Sequence, residues 1–543
     1  MFDYPELVAQ LALYLSPQDL ARCSATCKSF ARTFEPYLYR QVTMEDKHSA
    51  PPSLPQHLQH VRMLRIYSRN VEGCLQAIAG VLDSTETMTN LQKLSITNIY
   101  YVGWVYTPVA LNTVITLVAG NNRITHLELQ MHTNLMGISL DPRLLDIIHM
   151  GLPRLQQFVV SGANFFSIVE AMKALKICLG HPSLTHAQLQ TAAERIFHSR
   201  SDSSEHKALF ESLLEFLDGT HKDGAQLQEV NGCQLTSLAL PHIRGGYPRS
   251  FLLPLLRTYL PKLERLQVPF LDGSYEGELE EVIAGHCSNL CHIAYTFPML
   301  LEDQNSSVIK AVIRGCARWN GLKSIRIFGY REQDDTDSSR GLVETLVKHH
   351  SKTLESVEIQ AWDRHGGTSL LNPIFTGCPN LKSLKVLRLE GSTLHFLMYF
   401  VHLPAEPWAF QGLKELHLHF YQKKQYSLTN TAKQELEAGG RMFKQIGKLI
   451  HLEILALDFY GYDSEYGWDL DDSMRSEWLK EIAGLDKMRY LCMPSDCWGE
   501  QYLSKIIDSS WPRLERVSSR RYDPMDFRWI KERRPWLKIG DLE

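Results

Sequence analysis

The stretch Gly377-Cys378-Pro379-Asn380-Leu381-Lys382-Ser383-Leu384-Lys385-Val386 decides the fold. Its last six residues carry three apolar side chains in the order apolar-x-x-apolar-x-apolar, and that order returns along most of the chain. Clear copies are Leu91/Leu94/Ile96, Ile124/Leu127/Leu129, Leu155/Phe158/Val160, Leu235/Leu238/Leu240, Leu263/Leu266/Val268 and Leu290/Ile293/Tyr295. Further on come Leu322/Ile325/Ile327, Leu354/Val357/Ile359, Leu413/Leu416/Leu418 and Leu452/Leu455/Leu457. Weaker copies stand at Val61/Leu64/Ile66, Leu184/Ala187/Leu189, Met488/Leu491/Met493 and Leu514/Val517. These are about fifteen copies, mostly about 26–33 residues apart, and a fixed period of that size marks a stacked repeat.

Each copy ends on an alternating x-Leu-x-Leu, which predicts a strand with one buried face. The intervening sequence has helical spacing, as in Leu279-Glu280-Glu281-Val282-Ile283, Val308-Ile309-x-x-Val312-Ile313 and Leu342-Val343-x-x-Leu346-Val347. Gly285 and Gly315 follow such runs and read as helix C-caps. The unit is therefore strand, loop, helix, turn. Parallel strands sit about 4.8 Å apart and packed helices about 8–10 Å apart, so stacking places strands inside an arc and helices outside. Neither layer buries its apolar side without a neighbouring unit.

These units resemble the leucine-rich repeats, within them the cysteine-containing type found in F-box proteins. Gly377-Cys378-Pro379-Asn380-Leu381-x-x-Leu384 and His286-Cys287-Ser288-Asn289-Leu290 carry the resemblance. It implies an α/β leucine-rich-repeat solenoid over residues 58–519, a horseshoe with parallel strands inside and helices outside. Residues 520–543 then form a C-terminal cap or tail, with Trp529, Ile530 and Trp536 packed inward.

Residues 1–44 read differently. Glu6-Leu7-Val8-x-x-Leu11-x-x-x-Leu15 has helical spacing, and Ser16-Pro17-Gln18-Asp19 is a helix start with Ser at the N-cap and Pro at the first position. Leu20-x-x-Cys23-x-x-x-Cys27-x-x-Phe30 continues one face. Pro5-Glu6-Leu7-Val8, Asp19-Leu20, Cys27-Lys28-Ser29-Phe30 and Leu38-Tyr39 together resemble the F-box, a small all-α module; Tyr4 and Thr26 depart from its pattern. The resemblance implies docking of a Skp-family adaptor, and through it a cullin, so that the chain serves as the substrate-recognition subunit of an SCF-type ubiquitin ligase. Pro5, Leu7, Val8, Leu11, Leu15, Leu20, Cys27 and Phe30 are expected at the adaptor face or in its supporting core. The alternative is an N-terminal cap on a non-ligase leucine-rich-repeat scaffold or regulator. A module of about 40 residues buries too little surface to be robust alone, so its apolar surplus calls for a cover. Residues 45–57, with Pro51-Pro52, read as a linker.

Net charge is -4 at pH 7, which argues against a large phosphate-binding surface and hence against nucleic acid as partner. Eleven scattered cysteines do not form a secreted disulfide framework. No signal-peptide pattern and no run of about 18 apolar residues occurs, so a cytoplasmic or nuclear protein off the membrane is expected. Cys23-x-x-x-Cys27 and Cys287-x-x-x-Cys291-His292 lack partner pairs at zinc-site spacing, and no nucleotide-binding or hydrolase motif occurs. The expected role is recognition, without cofactor, metal or catalysis.

Target contacts are expected on strand positions that point away from the core: Arg265, His292, Arg326, Glu358, Lys385 and His417, with Lys93, His126, Glu415 and Arg516 alongside. The acidic, aromatic run Asp458–Asp472 adds Tyr462, Tyr466 and Trp468, which read equally as binding anchors or as a solvated loop. Residues 191–234 break the rhythm and read equally as a degenerate repeat or an insertion. His349-His350 closes a helical run and reads as a solvated pair or a charge at a helix end.

Overall fold

The computed structural model describes residues 5–45, 54–68, 70–84, 88–98, 108–131, 142–163, 168–191, 208, 210–215, 233–240, 247–269, 275–296, 306–331, 336–362, 368–391, 408–422, 432–461, 472–493, 506, 509–518 and 528–539. Two compact units divide the chain, Met1–Leu271 and Asp272–Glu543.

The first unit opens with three helices, α1 (Pro5–Tyr14), α2 (Pro17–Thr26) and α3 (Lys28–Leu38). Strands follow: β1 (Gln41–Glu45), β2 (Met63–Ser68), β3 (Lys93–Asn98), β4 (His126–Met131), β5 (Gln157–Ala163), β6 (His186–Thr191), β7 (Ser237–Ala239) and β8 (Arg265–Pro269). Each pairs in parallel with the next. The second unit repeats the plan with β9 (His292–Thr296), β10 (Ser324–Arg331), β11 (Ser356–Trp362), β12 (Ser383–Gly391), β13 (Glu415–Gln422), β14 (Ile454–Gly461), β15 (Tyr490–Cys492), β16 (Arg516–Ser518) and β17 (Lys538–Ile539), again parallel throughout.

The register explains why the apolar triplet recurs. Leu64, Leu94, Leu127, Phe158, Ala187, Leu238 and Leu266 lie in one row of the first unit, all buried. Ile293, Ile325, Val357, Leu384, Leu416, Leu455, Leu491 and Val517 form the same row in the second. Because side chains alternate along a strand, the residues between them face away from the helices. All fifteen copies fall on strands, and β1 and β17 extend the array at its two ends. The repeat solenoid is thus a parallel sheet in each unit with helices returning along one side, as the period requires.

Each repeat is bonded to the next before its strand begins. The Arg62 and Met63 amides both donate to the Arg40 carbonyl, and Gln92 and Lys93 donate to Arg62; the rule continues to Glu264 and Arg265 on Thr236. In the second unit it runs from Lys323 and Ser324 on Cys291 to Glu515 and Arg516 on Arg489. One carbonyl with two lone pairs thus satisfies two amides in a turn that would otherwise leave them unpaired.

Several details differ from expectation. His350 is neither solvated nor a helix-end charge: it is 1% exposed, its Nδ1 accepts from the Leu322 amide at 3.1 Å and its Nε2 donates to the Ile313 carbonyl at 2.8 Å. Asn121 does the same work two-handed, accepting from the Leu91 amide and donating to the Leu117 carbonyl. Gly285 and Gly315 lie inside the helices Glu276–His286 and Ser306–Cys316 and are not C-caps. Gly315 instead lets these helices approach, since a Cβ there would lie 2.9 Å from Ile283 and 3.0 Å from the Glu280 carbonyl.

The stretch read as all-α ends in strand β1, and the stretch read as linker contains the helical residues Leu54–His57. At the C-terminal end Ile530 is buried and Trp529 half-buried, but Trp536 is 70% exposed, because Arg534 takes the inward position and donates to the Trp511 and Ser510 carbonyls. Of residues 191–234, residues 210–215 are helical, with Phe210 packed on Tyr247 and Phe251. Among the described residues no helix is long and apolar enough to cross a membrane, and no group of three or more His, Cys, Asp or Glu could hold a metal ion.

Candidate functional site

The N-terminal helices are built from short local signals. Ser16 has extended backbone (φ -67°, ψ 157°), accepts from the Asp19 amide at 3.2 Å and donates to the Asp19 carboxylate at 2.7 Å, so it caps α2, with Pro17 at the first position. Cys27 ends α2 and starts α3, where its sulfur accepts from the Phe30 amide at 3.5 Å. Its part is to turn the chain between two helices, and it is exposed.

The three helices close on a core of Val8, Ala12, Leu20 and Phe34, flanked by Leu15, Cys23, Phe30, Tyr37 and Leu38. Phe30 meets Phe34 edge to face at 5.8 Å. Past α3, Tyr39 stacks on His57 at 4.1 Å, and β1 inserts Val42 and Met44 into the buried row. The module is therefore anchored to the first repeat through its C-terminal end.

The core uses only one side of α1. Leu7 is 55%, Leu11 45% and Tyr14 88% exposed. Their spacing of four and three places them in one stripe, turned about 100° round the helix from Val8 and Ala12. The sequence-expected residues therefore separate into two sets. Leu7 and Leu11 form the exposed stripe; Val8 and Leu20 are core, and Leu15 and Phe30 line it. Pro5 opens α1. Tyr14, absent from the expected set, completes the stripe and was signalled by its distance of three from Leu11.

Residues 5–45 match the F-box-like family model. The chain carries an F-box-like domain. No curated protein matches the chain. The F-box-like domain spans α1 to β1, so its last strand is also the first strand of the sheet.

Away from that domain, the expected target contacts separate by unit. In the second unit the charges pair across neighbouring strands. Arg326 meets Glu358 at 2.7 Å, and Lys385 meets Glu415 at 2.8 Å. His417, only 9% exposed at its side chain, lies 3.0 Å from the same Glu415. Ser383 donates to Glu415 as well, and although burial opposes it, these bonds from His417, Lys385 and Ser383 hold the Glu415 carboxyl at about 2. His292 is half-buried on β9. Arg265, on β8 of the first unit, is exposed. Tyr462, Tyr466 and Trp468 lie outside the described residues.

Proposed function

We propose that this chain is the substrate-recognition subunit of an SCF-type cullin ubiquitin ligase, with the F-box-like domain docking a Skp-family adaptor and the repeats, read as leucine-rich repeats, holding a target protein. The observation that carries the reading is the stripe Leu7, Leu11 and Tyr14, three large apolar side chains held in water by a domain already anchored at its other end. Covering Leu7 and Leu11 with a partner's apolar side chains is worth about 1 kcal/mol each at about 25 cal/mol per Å², and helix-in-groove contacts are built from such i, i+4, i+7 anchors.

In this reading the chain has no catalytic residue of its own and no cofactor. It contributes proximity, raising the effective concentration of a target lysine near the ubiquitin-charged enzyme. Such a subunit works in the cytoplasm or nucleus. A second reading, a scaffold outside any ligase with the module as a mere cap, draws on the continuity of β1 with β2. The two differ in what α1 is for.

The test is co-expression of the full chain with a Skp adaptor and a cullin, followed by affinity capture. The proposal expects both to be recovered with the wild type and neither with Leu7→Asp/Leu11→Asp. Recovery that is indifferent to this pair of changes favours the scaffold.

A further inference from the structure

The open sheet face of the first unit is charged unlike that of the second. In register across β3 to β8 stand Lys93, His126, Gln157, His186, Ser237 and Arg265, a row with two fixed cations, two imidazoles and no carboxylate. The next row reads Arg65, Ser95, Glu128, Val159, Gln188, Ala239 and Gln267, with Val159 and Ala239 buried. Its acid, Glu128, is occupied by bonds from Ser95 and Gln130. Lys93, Arg65 and Arg265 make no ion pair among the described residues. In the second unit, by contrast, Arg326 and Lys385 have each found a carboxylate on the next strand.

The reason is geometric. Neighbouring strands bring residues of one row about 4.8 Å apart, so opposite charges in adjacent repeats pair on their own. In the first unit Lys93 has Met63 and His126 beside it in register and Arg265 has Ser237, while Glu128, diagonal to Lys93 on the next strand, is held by Ser95 and Gln130. Partial burial and the adjacent cations also lower the pKa of His126, beside Lys93, and of His186, within the field of Arg265. Among the described residues these two rows carry three fixed cations against one carboxylate, and the Gln157 amide stands between Lys93 and Arg265.

We propose that the open face of residues 93–265 binds a carboxylate-rich peptide segment of a partner protein, laid across the strands. Lys93 and Arg265 are five strands apart, about 24 Å at the strand spacing, which an extended peptide of about seven residues spans at about 3.3 Å per residue. Single cations spread over that length match single carboxylates spread along a peptide. They do not match one phosphate, whose double charge is held by converging guanidinium groups. The Gln157 amide would hold a main-chain carbonyl of the peptide between the charged points. In the ligase reading, on which this inference builds, the segment belongs to the target.

The experiment is fluorescence anisotropy of the purified full chain with three labelled probes: a decapeptide of alternating Glu and Gly, the same peptide with Gln for Glu, and a ten-nucleotide single-stranded DNA. The Glu peptide is expected to bind at least about tenfold tighter than the Gln peptide and the DNA, and to weaken as salt rises, because exposed charges are screened within about 10 Å at 0.1 M. Lys93→Gln/Arg265→Gln is expected to lose about tenfold of the Glu-peptide affinity, and Arg326→Gln/Lys385→Gln in the second unit less than twofold. Circular dichroism and melting of both variants verify folding. Tighter binding of the DNA, no preference for Glu over Gln, or equal loss from the two double variants overturns the proposal. Leu7→Asp/Leu11→Asp is expected to leave peptide binding unchanged, so a chain that binds the peptide and never binds an adaptor would sink the ligase reading alone.

Discussion

His350 illustrates how much a single residue of the turn before each strand carries. Both its nitrogens are used inside the array, so the ring is neutral, and burial, opposed by the Ile313 hydrogen bond and aided by His349, holds its pKa below the ordinary 6.5. His181 is held low for the same first reason, with Nε2 on the Leu152 carbonyl at 2.9 Å. The unfolded chain binds more protons than the folded one between the lowered values and 6.5. The contribution of these rings is therefore complete above about pH 6.5 and is lost as pH falls through the folded values. Urea titrations at pH 7.5 and 5.0 are expected to show a stability drop that is smaller in His350→Gln, which has no proton to take up. His350→Ala, leaving the Leu322 amide and Ile313 carbonyl unpaired, is expected to cost about 2–4 kcal/mol at pH 7.5. The sequence marked His350 as a helix end and nothing more: its partners are 28 and 37 residues away, and no local pattern reports a bond across a repeat.

At the scale of the element, the strands were legible and the helix faces only in part. A period-two apolar pattern names the buried face of a strand outright, which is why fifteen strands follow from the apolar triplets. β1 and β17 escaped because Val42-Thr43-Met44 lacks the leading Leu and its turn, and Lys538–Ile539 is only two residues long. For α1 the apolar residues nearly encircle the helix, so the sequence told that some face needs cover without telling which. Val8 and Ala12 turn to Leu20 and Phe34, which leaves Leu7, Leu11 and Tyr14 outside. Gly315 was read as a stop signal, since glycine commonly is one, whereas its true reason lies on the neighbouring helix. Gly315→Ala is expected to lower stability by about 1–3 kcal/mol through overpacking against Ile283, measurable by chemical denaturation, while Gly285→Ala, whose added methyl meets nothing within 4 Å, is expected to be neutral or mildly stabilising.

For the whole molecule, the proposed function divides between an apolar stripe on one helix and charged rows on the sheet face. The residue types on those faces were readable from the sequence, but their pairing was not, because it depends on which strand lies beside which. Arg326, Glu358, Lys385 and His417 looked like recognition residues and are bonded to one another or to Glu415. That leaves the stripe of α1 as the feature with the clearest need of another chain. Isothermal titration of purified Skp adaptor into the full chain measures that need directly. Saturable 1:1 binding by the wild type, weakened at least about a hundredfold in Leu7→Asp/Leu11→Asp with an unchanged melting temperature, is the predicted result. No heat with the wild type, or equal affinity in the variant, would contradict it.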